Sequence, residues 1–220
     1  MLIDLVIHPE WREKCKNEIQ DFLSRHNDFE SSEAQREKLM AIPISAWEDE
    51  LPILDACIRE SQRISFTGIT LRRNLREIKI GGRVVKQGDF LAYSMGEVHS
   101  NPAYCPKPFK YDPSGWLRPD PTPDVTYPFL GWGAGRHPCT GMKVAKLEMK
   151  SILVMFLARY EYELVDKDGK FPDPLPVPDR NVIHQVCLGV KEWRGYFLYL
   201  LCLFPYLPRR ALMELGVTST

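Results

Sequence analysis

The stretch that most constrains this chain is Trp132-Gly133-Ala134-Gly135-Arg136-His137-Pro138-Cys139-Thr140-Gly141. It is a glycine-studded loop carrying one cysteine, and it runs straight into a helix expected from Met142 to Tyr160. Lys143, Lys146 and Lys150 recur at helical spacing and mark a polar face. From Ile152 to Ala158 nearly every residue is apolar, so that end of the helix is expected to be buried on all sides.

The residue types suggest a chemistry. Gly131, Gly133 and Gly135 can take positive φ and let the backbone approach a bulky flat partner that a Cβ would push away. Cys139 sits just before the helix, where free N–H groups and the positive dipole end favour a thiolate. Such a thiolate is a good axial ligand for haem iron, and N–H groups aimed at the sulfur would tune the iron's potential. Arg136 and His137 put cationic or donor groups where haem propionates could be met. The bland alternative for this loop is a lone buried cysteine in a tight turn.

Composition sets looser bounds. A chain of 220 residues can bury a sizeable core as one domain. Lys plus Arg balances Asp plus Glu at 29 each, which leaves no strong field to attract nucleic acid or an anionic membrane. Cys15, Cys57, Cys105, Cys139, Cys187 and Cys202 are scattered with no CxxC pair. That argues against a zinc site or a disulfide scaffold and fits a reducing compartment. Met1 to Ile7 has no basic lead and is interrupted by Asp4, so it is not a signal or an anchor.

Taken in order, Pro9 opens a helix to about His26, with Trp11, Cys15, Ile19, Phe22 and Leu23 on one face. Asn27 to Ser32 is expected to be a loop and Glu33 to Met40 a short helix. Asp49, Glu50 and Pro52 signal the next helix start, with Ile53, Leu54, Cys57, Ile58 and Ile64 as its apolar stripe. Glu60 and Arg63 lie three apart on that helix and can pair. Taken alone they read as a surface ion pair worth little. From Arg76 to Lys86 two short alternating segments flank Gly81-Gly82, a hairpin signal, and Gln87-Gly88 turns the chain into Asp89 to Met95. Residues 102–138 hold nine of the eighteen prolines, so a meander rather than sheet is expected there. Glu161 to Val165 is expected to be a strand, Lys167-Asp168-Gly169 a turn, and Phe171 to Pro178 an extended loop.

The loop resembles the cysteine-ligand loop of the cytochrome P450 family of haem-thiolate monooxygenases, which typically reads Phe-x-x-Gly-x-Arg-x-Cys-x-Gly. Here those slots hold Trp132, Gly135, His137, Cys139 and Gly141. Trp132 keeps an aromatic beside the sulfur. His137 stands where arginine is usual, with Arg136 before it, and the Gly-Arg-His order resembles sterol-demethylase-like members. Glu60 and Arg63 match the family's Glu-x-x-Arg, the glycine-valine pattern of residues 81–88 is similar to its small sheet, and His99 and Pro102 match its His-x-x-Pro. Residues 105–116 are similar to Pro-x-x-Phe-x-Pro-x-Arg-Trp, except that Gly115 replaces the arginine. Arg118 lies two positions beyond Trp116.

The resemblance implies the C-terminal portion of that fold, mainly α with small β-sheets (α+β), over residues 1–186. Residues 187–220 are then a divergent, apolar tail, such as translated intron or altered frame. Gly195 to Leu207 is too short to span a bilayer. It implies haem b with Cys139 as axial ligand, Arg73 (with Arg72 as competitor) at a propionate, and Phe66 to Leu71 facing substrate. Thr67 and Gly68 replace prolines common there. It implies a buried Glu60–Arg63 pair whose network lacks its third member at Gly115, putting stability in doubt. It implies insertion of one oxygen atom from O₂ into a lipophilic substrate, terpenoid or sterol-like, in the manner of secondary metabolism. Electrons would come from an NADPH-dependent reductase, and a full-length relative would sit at the endoplasmic reticulum membrane. The distal helix with its acid–threonine pair and the N-terminal anchor have no counterpart here, so poor activity and a cytoplasmic or peripheral location are expected of this chain. Two alternatives stand beside this: a truncated, inactive remnant or incomplete gene model, and a non-enzymatic helical binding module with an incidental cysteine.

Overall fold

A computed structural model describes residues 1–26, 39, 41–66, 68–118, 127–165 and 170–175, and the backbone alone of 187–192 and 197–200. Helix α1 (Leu2–Ile7) tucks Leu5 into the interior. Helix α2 (Pro9–His26) buries the expected face of Trp11, Cys15, Ile19, Phe22 and Leu23. Helix α3 (Ile44–Asp49) contributes Trp47, whose ring tilts against Phe22 with centroids 5.0 Å apart. Helix α4 (Pro52–Ser65) starts on its proline and buries Leu54, Cys57, Ile58 and Ile64, with Ile53 half-buried. Its first-turn amides are capped from another helix: Glu18 Oε1 accepts from Ile53 N at 2.7 Å and Oε2 from Leu54 N at 2.8 Å.

The glycine hairpin forms where expected. Strands β2 (Ile78–Ile80) and β3 (Arg83–Val85) pair antiparallel across Gly81 and Gly82, whose φ values of 54° and 80° need glycine. The third segment does not extend that hairpin. As β4 (Phe90–Ser94) it pairs antiparallel with β1 (Ile69–Arg73), a strand the alternation of 76–95 did not reveal. Asn74 links the two ribbons, donating through Nδ2 to Val85 O (3.0 Å) and Lys86 O (2.9 Å) while its N–H reaches Asp89 O at 2.8 Å. Helix α5 (Met95–His99) follows, then the proline-rich meander with a short 3-10 turn at Pro113–Leu117.

Helix α6 (Met142–Arg159) ends one residue before Tyr160, which opens strand β5 (Tyr160–Val165). Two expectations for α6 are corrected. Ile152 (54% exposed) and Met155 (39%) face outward, while Val154, Phe156 and Leu157 are buried in the core and Leu147, Met149 and Leu153 pack against it. Lys150 is buried at 3% exposure, where its ammonium donates to Trp47 O (3.0 Å) and Glu48 O (3.1 Å) and lies 3.5 Å from Asp55. Strand β5 pairs antiparallel with β6 (Cys187–Glu192), and β6 with β7 (Phe197–Leu200). The expected loop and helix over 27–40 (Leu39 apart), Thr67, the turn at 167–169, the boundary at 186 and the tail beyond 200 lie outside the described residues. The result is the expected α+β arrangement: one core shared by α1, α2, α3, α4, α6 and β5, with small antiparallel sheets.

Candidate functional site

The cysteine loop is closed by its own backbone. Gly133 N–H donates to Leu130 O at 2.9 Å, and Cys139 N–H donates to Trp132 O at 2.8 Å. Gly133 and Gly135 take φ values of 75° and 72°, the left-handed region where a side chain is strained. Gly141 is the N-cap of α6 and offers no side chain to its first amides. Cys139 therefore stands beside the open, positive end of an eighteen-residue helix, with its thiol exposed. That exposure overturns the alternative of a buried cysteine in a tight turn.

Helix α4 supports the loop through a buried polar network. Arg63 Nε and Nη2 form a fork onto Glu60 Oε2 (2.9 Å) and Oε1 (2.8 Å), with both residues buried. Arg63 Nη1 also donates to His99 O (3.0 Å) and Pro108 O (2.7 Å), and Nη2 to Lys110 O (3.3 Å). Burial alone would pull the guanidinium pKa down; the hydrogen bond and charge of Glu60 outweigh it and hold it above the ordinary value. The doubt raised by Gly115 is corrected here. Glu60 Oε1 takes Asp112 N–H at 3.0 Å and Oε2 takes Trp116 Nε1–H at 2.9 Å. Each carboxylate oxygen thus accepts two hydrogen bonds, and no arginine at 115 is needed to satisfy it.

The network reaches the loop through His99. Its fully buried ring accepts Leu130 N–H on Nε2 at 2.9 Å, so the neutral ring carries its proton on Nδ1. Sequence matching had marked His99 only as half of a motif; the partner 31 positions away was not legible. Gln62, unremarked in the sequence, donates to Gly131 O at 2.8 Å.

The other expected residues are placed less tightly. Trp132 is half-buried, and Arg136, His137 and Gly141 are exposed on the loop. Arg73 is exposed at the last position of β1 opposite Phe90, and among the described residues no hydrogen bond or ion pair joins it to the loop. Arg72 Nη1 donates to the neighbouring Leu71 O at 2.9 Å. On the β1–β4 ribbon, Ile69, Leu71 and Phe90 occupy one face and are exposed.

These residues fit a haem. A soft thiol is exposed at a helix start, a Cβ at Gly135 would meet nothing within 4 Å, and Arg136 and His137 are exposed on the same loop. If haem were bound, Cys139 would be the residue to hold it through sulfur, and the haem would supply redox chemistry.

Comparison with known proteins agrees with this geometry. The family model described as Cytochrome P450 matches residues 1–185. The chain is 36% identical over 176 residues to cytochrome P450 monooxygenase AacuE of Aspergillus aculeatus, covering 77% of this chain and 35% of that protein. It is 34% identical over 182 residues to cytochrome P450 monooxygenase nsrP of Aspergillus novofumigatus, covering 80% and 35%. Human cytochrome P450 4F8 is 29% identical over 164 residues, covering 73% and 28%. The chain therefore spans about a third of the length of the curated relatives it matches. With the loop, the buried pair and the family match in register over most of its length, the chain belongs to the cytochrome P450 family, whose cofactor is haem.

Proposed function

We propose that this chain is the haem-thiolate portion of a monooxygenase, with Cys139 as the axial ligand of haem b. The observation that carries this is an exposed cysteine thiol at the start of α6, on a loop tied through His99 to the buried Glu60–Arg63 pair. When bound, the haem would supply the redox chemistry that inserts one atom of O₂ into a substrate. The chain's own part would be to present the Cys139 sulfur at the start of α6 and to hold the loop's shape. Arg136, His137 and Arg73 would meet the propionates as donors. The exposed Ile69, Leu71 and Phe90 side chains suit a lipophilic substrate or the macrocycle itself. Electrons would come from an NADPH-dependent reductase. Residues 1–186 would form the family portion and 187–220 an added tail.

The test is the absorption spectrum of the purified chain with added haem, reduced and exposed to carbon monoxide, beside Cys139→Ala. A thiolate-type Soret band that vanishes in the variant is expected. A band the substitution leaves unchanged, or none at all, would remove Cys139 from the ligand role.

A further inference from the structure

We propose that Gln62 is a positioning residue for Cys139, acting through the Gly131 carbonyl; the inference rests on the ligand role given to Cys139 above. Gln62 lies on α4 between Glu60 and Arg63, and its Nε2 donates to Gly131 O at 2.8 Å. The approach is close, and a side chain at 131 would make Gln62 and Phe129 shift. A Cβ there would lie 2.6 Å from Gln62 Cδ, 2.8 Å from Oε1 and 2.5 Å from Phe129 Cζ. The next residue, Trp132, offers the carbonyl that accepts the Cys139 N–H at 2.8 Å. One residue of backbone thus separates the point Gln62 holds from the hydrogen bond that closes the cysteine end of the loop. Among the described residues Arg63 reaches the same loop through His99, whereas Gln62 touches it directly.

The other half of the Gln62 amide argues for the same role. Its Oε1 is buried and has no hydrogen-bond partner among the described residues. An unpaired amide oxygen is unfavourable inside a protein. A methionine of similar length would fill the space without that penalty. The amide is therefore explained by what its N–H holds and not by a contribution to stability.

The experiment compares Gln62→Met, which keeps length and deletes the donor, with Gln62→Glu, which keeps shape and also cannot donate when ionised. Amide hydrogen exchange is read on the chain without haem. The Cys139 N–H should exchange about fivefold faster in Gln62→Met, and in Gln62→Glu at a pH where its carboxyl is ionised, the population change that one ordinary hydrogen bond makes. The melting temperature of Gln62→Met should be unchanged or raised, because the orphaned oxygen is gone. With haem and carbon monoxide, a smaller share of thiolate-type Soret absorption is expected in both. Unchanged Cys139 exchange in a folded variant overturns the proposal, as does exchange that rises only in step with core amides such as Cys57. Absence of the thiolate band from the unsubstituted chain would instead sink the ligand role of Cys139, and the exchange comparison would still decide whether Gln62 holds the loop.

Discussion

Glu60 and Arg63 show how much a pair of residues depends on what surrounds it. Three apart on an exposed helix they would contribute little. Here both are buried, and the guanidinium also satisfies three carbonyls, those of His99, Pro108 and Lys110. Arg63→Ala would strand the Glu60 carboxylate and orphan those oxygens, so a loss of roughly 3–5 kcal/mol is expected in the urea midpoint. A change below about 1 kcal/mol would mean the pair is not buried in solution. Gly115→Arg tests the complementary point. Adding an arginine would bring no stability, because the Glu60 acceptors are already taken by Arg63, Asp112 and Trp116. The cavity of about 350 Å³ beside Gly115 is lined by Lys107, Lys110 and Arg118 as well as Glu60 and Asp112, so an added cation would meet charges of both signs. A melting temperature no higher than that of the unsubstituted chain is the expected result; a clear rise would show that Glu60 is under-satisfied.

At the level of elements, helix ends are satisfied by side chains from other helices. Glu18 of α2 caps the first turn of α4, and Lys150 of α6 caps the carbonyl end of α3. Both charges sit where helix dipoles favour them. Burial pushes the Glu18 carboxyl above its ordinary pKa, and the Ile53 and Leu54 amides with the Lys150 and Arg25 charges pull it only part of the way back. A carboxyl raised on folding stabilises the chain below its unfolded pKa, and that contribution is lost as pH rises through the folded one. Relative to Glu18→Gln, the unsubstituted chain should therefore lose stability as pH climbs from the ordinary glutamate range through the raised value, then level off. Urea midpoints of the two proteins across that range check the sign; a difference that stays flat with pH would show that burial does not dominate at Glu18.

For the molecule as a whole, the core lies among α1, α2, α3, α4, α6 and β5, while Ile69, Leu71 and Phe90 of the β1–β4 ribbon and Cys139 of the loop stay exposed outside it. Among the described residues no helix is long and apolar enough to cross a membrane. The family, the cysteine loop, the Glu60–Arg63 spacing and the Gly81-Gly82 hairpin were all legible in the sequence. Each is a local pattern, set by φ freedom, helical periodicity or a few adjacent residue types. The burial of Lys150, the pairing of β1 with β4, the tolerance of Gly115 and the grip of His99 and Gln62 on the loop were not. Each joins residues far apart in the chain, as Gln62 and Gly131 are joined across 69 positions, and no local periodicity encodes such a meeting. The chain's pattern determined which residues could carry the chemistry; only the packing of α4 against the loop decided what holds Cys139 in place, because a buried hydrogen bond forms only where the fold brings donor and acceptor together.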